Sequence, residues 1–316
     1  MRFTDSSISF VMPAYNCQDT IVESVESIIH GNFEQGDQLI IVDDCSTDDT
    51  AQVLSNLKRE YPFIVVVRSA ENKGCPATRN IGIGKASNPT IFNLDSDNIL
   101  VPRSIRRLRH FMISENADLA AFGQFHFFQN NIDEVKVKWI CRSGLLTLAD
   151  FLSGSVNPGP SGNFMYTKRS WERVGGYWEY GSGLHEAWGF TLKQIAMGAR
   201  FVVMPKTYYW HRHGHDSLYV REARKRNESS LMATKMITPF LHLVDDAQAA
   251  YIRSEEGSQT WFESPDMWPL RLKTGEQGKT GYVAYPAPSL TSRIPSILGG
   301  IKNRIIAKIS GLRARN

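Results

Sequence analysis

The sequence predicts an α/β fold: an open, mostly parallel, twisted sheet with helices on both faces, followed by a helical and loop C-terminal extension. Three observations carry this. Short apolar runs rich in β-branched residues recur at 8–12 (ISFVM), 39–43 (LIIVD), 63–67 (FIVVV) and 90–94 (TIFNL), the composition of strands buried on both faces. Segments of helical spacing alternate with them, and that alternation builds a parallel sheet through right-handed crossovers. Polar residues gather directly after three of the strands, at the carboxyl edge where open α/β sheets bind ligands.

The helices follow from local signals. Ile21, Val25, Ile28 and Ile29 repeat at helical spacing, and Thr20 with Glu23 forms a capping box by pattern. A second helix begins after Ser46, with Asp49 three residues on. Pro76 opens a third and Pro102 a fourth, whose Ile105, Leu108 and Met112 share one face. Gly82-Ile83-Gly84 follows a helical segment, so it lacks the strand-turn-helix setting of a dinucleotide fingerprint. Residues 217–253 read as helix, with a cationic run at Arg221, Arg224, Lys225 and Arg226, and residues 254–292 read as loop, rich in Gly, Pro, Ser and Trp. The expected organisation is an α/β domain at 1–220, a helical and loop extension at 221–292 and a basic amphipathic tail at 293–316.

Composition narrows the function classes. With 42% hydrophobic and 22% charged residues among 316, global disorder is excluded. Of the 36 basic residues seven lie after Glu276, where no acidic residue occurs, so the rest of the chain carries slightly more acid than base. A nucleic-acid partner is not expected, because its footprint is a basic folded body. The four cysteines have no paired spacing, which fits the reduced thiols of a cytoplasmic protein. No signal peptide and no apolar run of about 18 residues is seen, so a membrane span is not expected.

The strand ends are Pro13-Ala14-Tyr15-Asn16, Asp43-Asp44-Cys45-Ser46 and Asp95-Ser96-Asp97-Asn98. Asp95 and Asp97 flank one residue after an apolar strand, and hard divalent cations take such carboxylates together with substrate phosphates. Mn²⁺ or Mg²⁺ is the expected cofactor. A solvated turn is the bland alternative, but recurrence of acids at Asp43 and Asp44 on the same edge favours the metal. Lys73 and Arg79 lie between the third and fourth strands, as candidates to answer phosphate charge. His211, His213 and His215 lack a Cys or Glu companion and make a poor zinc site.

In these residues the chain resembles the inverting glycosyltransferase family 2, which has the GT-A nucleotide-diphospho-sugar transferase fold. The matching pieces are FVMPAYN at 10–16, IIVDDCSTDDT at 40–50, ENKGCPATRN at 71–80, FNLDSDN at 92–98, PSGNFMYTKRSWERVGGYWE at 160–179, HEAWGF at 185–190 and WHRHGHDS at 210–217. The resemblance spans about residues 6–220. It implies a nucleotide-sugar donor, most often a UDP-sugar, and a glycan or lipid-linked saccharide acceptor. By the same resemblance Asp43 contacts the base, and Pro13, Ala14 and Tyr15 line the nucleotide pocket. Asp44, Lys73, Arg79, Asp95 and Ser96 complete the donor-binding set. Asp95, Asp97 and His213 are the implied metal residues, Gly162 and Asn163 face the donor sugar, and Gly175-Gly176 is a tight turn before the acceptor side.

An inverting transfer needs a general base within hydrogen-bond reach of the acceptor hydroxyl. The family usually presents Glu-Asp at a helix start, and this chain has His185-Glu186-Ala187-Trp188. Ala187 supplies no carboxylate, which makes Glu186 the first candidate base and His185 the second; Glu186 acting only as a helix N-terminal acid stays open. Two rivals remain at this point, a sugar nucleotidyltransferase and a catalytically silent nucleotide-sugar binder.

From Ile294 onward, Ile297, Leu298, Ile301, Ile305, Ile309 and Leu312 form one helical stripe flanked by cations. Such a basic amphipathic segment points to peripheral attachment on the inner face of the cell membrane, with packing on its own domain or a second subunit as the alternative. Deleting residues 293–316 is expected to release the protein from anionic liposomes in a cosedimentation assay; unchanged cosedimentation would defeat that reading.

Overall fold

The computed structural model describes residues 7–135, 137–152, 162–179, 183–214 and 227–273. The chain runs β1 (Ile8–Ala14), α1 (Ile21–Ile29), β2 (Gln38–Asp43), α2 (Thr50–Glu60), β3 (Val65–Arg68), α3 (Cys75–Lys85), β4 (Thr90–Asn93) and α4 (Ser104–Ser114). Then come β5 (Leu119–Phe128), β6 (Val137–Ile140), β7 (Gly144–Leu146), α5 (Leu148–Leu152), β8 (Met165–Thr167), α6 (Lys168–Val174), α7 (Glu186–Ala196) and β9 (Phe201–Arg212). A helical extension follows, with α8 (Glu228–Ile237), α9 (Asp246–Arg253) and α10 (Glu255–Thr260).

The nine strands form one sheet in the order β3-β2-β1-β4-β8-β5-β9-β7, with β6 paired to β5. β1 to β4 are mutually parallel, β8 is antiparallel to β4 and β5, and β5 is parallel to β9. The carboxyl ends of β1, β2, β4, β5 and β9 therefore share one edge, as the alternation predicts.

Burial follows the sequence pattern closely. Ile21, Val25 and Ile28 of α1, and Ile105, Leu108 and Met112 of α4, are all in the core. The capping box is not formed: the Thr20 hydroxyl donates instead to the carbonyl of Ser96 at 2.9 Å, tying α1 to the turn after β4. β3 begins at Val65, two residues later than the apolar run suggests, because Ile64 N–H closes a turn on Tyr61. As the end strand it leaves Val65 exposed.

The helix expected up to residue 253 is present as α8 and α9, and the segment read as loop from 254 begins instead with a helix. Ser254 caps α10 by accepting from the Gly257 N–H at 3.0 Å, and short 3-10 helices follow at Trp261–Glu263 and Pro265–Met267. Trp261 is fully buried and donates to Thr234 of α8 at 2.8 Å. Phe262 packs on His185 and Trp188, which seats the extension against α7. Among the described residues no helix is long and apolar enough to cross a membrane. The cationic run at 221–226 and the tail at 293–316 lie outside the described residues.

Gly82 is a packing glycine. A Cβ there would lie 2.5 Å from the Val11 side chain, so its absence sets the approach of α3 to β1, whereas Gly84 has nothing within 4 Å. Gly82→Ala is expected to destabilise the fold by about 1–3 kcal/mol through overpacking, and Gly84→Ala to stabilise it by about 0.5–1 kcal/mol through helix propensity. Urea denaturation of the two variants checks both signs.

Candidate active site

Each polar strand end is held by a different device. Asn16, left-handed at φ 47°, turns the chain after β1, and its N–H donates to Ser46 Oγ at 3.0 Å. Pro13 and Ala14 are the last residues of β1, and Tyr15 beyond them is exposed. Asp43 ends β2 with its Oδ1 accepting from the Ser46 N–H at 2.9 Å. Its Oδ2 is buried, faces Arg68 Nε at 3.3 Å and receives no hydrogen bond among the described residues. An acceptor of this kind at a carboxyl edge suits an N–H donor from a ligand.

Asp44 does different work. Its two oxygens accept from the backbone N–H groups of Lys73 and Gly74 at 2.9 and 2.8 Å, so it pins the loop that starts α3 instead of presenting a free carboxylate. Gly74 there has φ 81°. The Lys73 side chain is half exposed, 3.9 Å from Glu71.

Arg79 is the centre of the site, and its guanidinium is buried among protein acceptors. It is 2% exposed on α3, with Nε donating to Cys75 Sγ at 3.2 Å and Nη1 to the Gly162 carbonyl at 2.8 Å. Nη2 takes two carboxylates at once, Asp95 at 2.6 Å and Glu186 at 3.1 Å. With three hydrogen bonds donated and a second carboxylate ion-paired to Nη2, the guanidinium is a structural hub. One nitrogen thus brings the first acid of the D-x-D and the candidate base side by side, although they are far apart in sequence.

Gly162 and Asn163 close the other side of Asp95. Gly162 has φ 85°, and a Cβ on it would meet Arg79 Nη2 at 2.6 Å and Asp95 Oδ2 at 2.8 Å, so only glycine fits. Asn163 grips Asp95 twice: its Oδ1 accepts from the Asp95 N–H at 2.7 Å and its Nδ2 donates to Asp95 Oδ2 at 3.0 Å. Burial pushes the Asp95 carboxyl up against the pull of Arg79, and the neighbouring charges of Asp97 and Glu186 add to the rise. Burial likewise pushes the Cys75 thiol up to about 12, which leaves it inert as a nucleophile.

The Ser96 carbonyl is held by Thr20, and the Asp97 carbonyl accepts from Arg212 Nε at 3.0 Å. Arg212 also donates to the Gln129 carbonyl at 3.0 Å, pairs with Glu23 and lies 4.5 Å from the Phe128 ring centre. It is the residue that fixes the D-x-D turn to β9, and the sequence gives no signal for it among so many surface arginines. Asn163 was announced only by the G-N dipeptide.

Two expected roles shift. Among the described residues no group of three or more His, Cys, Asp or Glu is arranged to hold a metal, so His213 completes no preformed cage with Asp95 and Asp97. Its backbone N–H extends the β5–β9 pairing to Phe128, and its ring lies 6.3 Å from that of Phe127. His185, left-handed at φ 62°, meets the Ser229 hydroxyl at 2.6 Å and packs on Phe262, so it anchors the extension. Glu186 begins α7 beside it, with no hydrogen bond to Oε2 among the described residues, while Ala187 is buried.

The sequence profile of glycosyl transferase family 2 matches residues 9–175. The chain is 33% identical over 114 residues to a poly(ribitol-phosphate) beta-glucosyltransferase of Bacillus spizizenii, covering 35% of this chain and 18% of that one. It is 30% identical over 178 residues to the succinoglycan biosynthesis protein ExoO of Rhizobium meliloti, covering 52% and 47%. To the UDP-Glc:alpha-D-GlcNAc-diphosphoundecaprenol beta-1,3-glucosyltransferase WfaP of Escherichia coli it is 35% identical over 108 residues, covering 34% and 42%. It thus spans less than half the length of these relatives. The crystal structure of S. aureus TarS 1–349 in complex with UDP-GlcNAc has the same fold, with a TM-score of 0.62 at 19% identity over 79% of this chain and 71% of that one.

The geometry separates the two cations that the sequence groups together. Arg79→Lys keeps the charge but cannot span Gly162, Asp95 and Glu186, and is expected to cost about 3–5 kcal/mol, as breaking a buried ion network does. Lys73→Ala is expected to stay within about 0.5 kcal/mol of the parent. Chemical denaturation of the two variants measures the contrast.

Proposed function

The chain belongs to glycosyl transferase family 2, and on that premise we propose that it moves a single sugar, with inversion, from a UDP-sugar donor to a cell-surface glycan or lipid-linked saccharide. The observation that carries the reading is the shared Arg79 nitrogen, which holds Asp95 and Glu186 together at the carboxyl edge. The buried Asp43 Oδ2, ion-paired with Arg68 but without a hydrogen bond among the described residues, supports a nucleobase N–H at the end of β2. Relatives named as glucosyltransferases, one of them using UDP-glucose, point the same way.

In this reading Glu186 takes the proton of the acceptor hydroxyl as that oxygen bonds to the anomeric carbon and the bond to the nucleoside diphosphate breaks on the opposite face. Arg79 aims Glu186 through their ion pair, and Asn163 orients Asp95. Mn²⁺ or Mg²⁺ fits the donor set, because hard divalent cations take carboxylate oxygens such as those of Asp95 and Asp97 together with substrate phosphates. Asp97 and Asp95 would hold that ion, which offsets charge on the departing diphosphate. We place the enzyme at the inner face of the cell membrane through its basic tail.

A silent nucleotide-sugar binder is the second reading, favoured by Ala187 standing where the family usually has an acid. The test is nucleoside diphosphate release from UDP-, GDP- and dTDP-sugars with Mn²⁺ or Mg²⁺, alongside donor binding by thermal shift. Slow release of one donor is expected, lost with chelator and in Asp97→Ala, and lowered about 10²–10⁴-fold in Glu186→Gln. Folding leaves Asp95 with a proton affinity above its unfolded value, so a cation has to displace that proton and its affinity should climb as pH rises. Donor binding without release, unchanged by Glu186→Gln, selects the silent binder; no binding to any donor removes the proposal.

A further inference from the structure

The sheet does not end level with the donor site. Met165 of β8 pairs with Phe92 of β4 and with Ala120 of β5, which puts those two residues at one height. β4 stops at Asn93, while β5 and β9 run on in parallel to Phe128 and Arg212 past an irregularity in their register between Phe122 and Gln124. At about 3.3 Å per residue, Phe127 stands on the order of 10 Å beyond the level of Asp95. The overhanging ribbon, widened by β6, rises from the same carboxyl edge.

One face of that ribbon is aromatic. Phe125 and Phe127 alternate on β5, Trp139 faces them from β6, and Tyr209 and His211 face them from β9. The ring centroids of Phe127 and Trp139 are 4.8 Å apart and those of Phe127 and His211 5.0 Å, while Phe125 lies 5.3 Å from Tyr209. Phe125 and Tyr209 are buried, whereas Phe127, Trp139 and His211 are partly exposed. Hydrogen bonds join the face to the site: the Tyr209 hydroxyl meets His211 Nδ1 at 3.0 Å and Asn163 Nδ2 at 3.4 Å, and Asn163 grips Asp95.

We propose that this face is the platform for the saccharide of the acceptor, with Trp139 and Phe127 as its stacking surface. This deepens the transferase reading and rests on it. A sugar ring has an apolar C–H face bordered by hydroxyls, and it is matched by the partly exposed rings of Phe127 and Trp139 beside the His211 imidazole. A lipid chain makes no use of that imidazole. The position also suits the acceptor, since the face begins at the residues around Asp95 and leads away from the Asp43 end of the sheet.

The test uses the full chain in two assays, donor hydrolysis without acceptor and binding to an array of bacterial surface oligosaccharides. The parent is expected to bind saccharides on the array. Trp139→Ala and Phe127→Ala should weaken that binding about tenfold more than they change donor hydrolysis, as removal of an aromatic anchor does. Trp139→Phe should recover most of it, which separates stacking from misfolding. Lys138→Ala, exposed on the opposite face of β6, should leave both assays unchanged. Trp139→Ala that binds saccharides like the parent overturns the proposal, as does a parent that hydrolyses a donor but binds nothing on the array. Saccharide binding that depends on Trp139 without any donor turnover would sink the transferase reading and leave the platform standing.

Discussion

A single guanidinium buried beneath the carboxyl edge constrains everything around it. A charge removed from water is tolerated only when paired and hydrogen-bonded, and Arg79 draws its partners from four segments: Cys75 on its own helix, Asp95 after β4, the Gly162 carbonyl and Glu186 at the start of α7. Each partner then constrains its neighbours. Gly162 can carry no side chain because the ion pair fills that space. Asp95, held on one side, is held on the other by Asn163, and Glu186 is delivered by a helix whose preceding residue is locked to the C-terminal extension.

The next residue along α3 extends the same logic outward. Asn80 receives the Trp171 indole N–H at 3.0 Å and the Tyr177 N–H at 2.9 Å, and donates to the Tyr177 carbonyl and to Glu179. Tyr177 in turn receives Asn93 at its hydroxyl and stacks on Phe190 of α7 with centroids 3.9 Å apart. The Arg-Asn pair therefore sets the height of α7 above the sheet, and with it the position of Glu186. Arg212 does the corresponding work for Asp97 from the far end of β9. Such networks are satisfied at nearly every atom, and that is why small changes in them are expected to matter more than exchanges of exposed charge.

Much of the fold was legible in the residues. Apolar runs located β1, β2 and β4 to within two residues, and helical spacing located α1 and α4 by the faces they bury. Local signals failed where a distant group competed. Thr20 has the pattern of a capping residue, yet its hydroxyl goes to Ser96, 76 residues away. The segment from 254 looked like loop because Gly, Pro, Ser and Trp are frequent in it, but burial of Trp261 and the Ser254 cap order its described part, 254–273, largely as short helices.

The sequence by itself determined the strand order of types, the edge at which polar residues collect and the family pattern carried by Asp43, Asp95, Asp97 and Glu186, because periodicity and strand-end chemistry are local properties. Tertiary structure alone decided what each of those polar groups does. Asp44 and Asp43 are adjacent and chemically identical, yet one pins a backbone loop and the other keeps a buried oxygen unsatisfied. Lys73 and Arg79 carry the same charge six residues apart, yet one is solvated and the other is the buried hub. Which partners a side chain meets depends on segments brought together by the sheet, and no local pattern in a chain encodes that meeting.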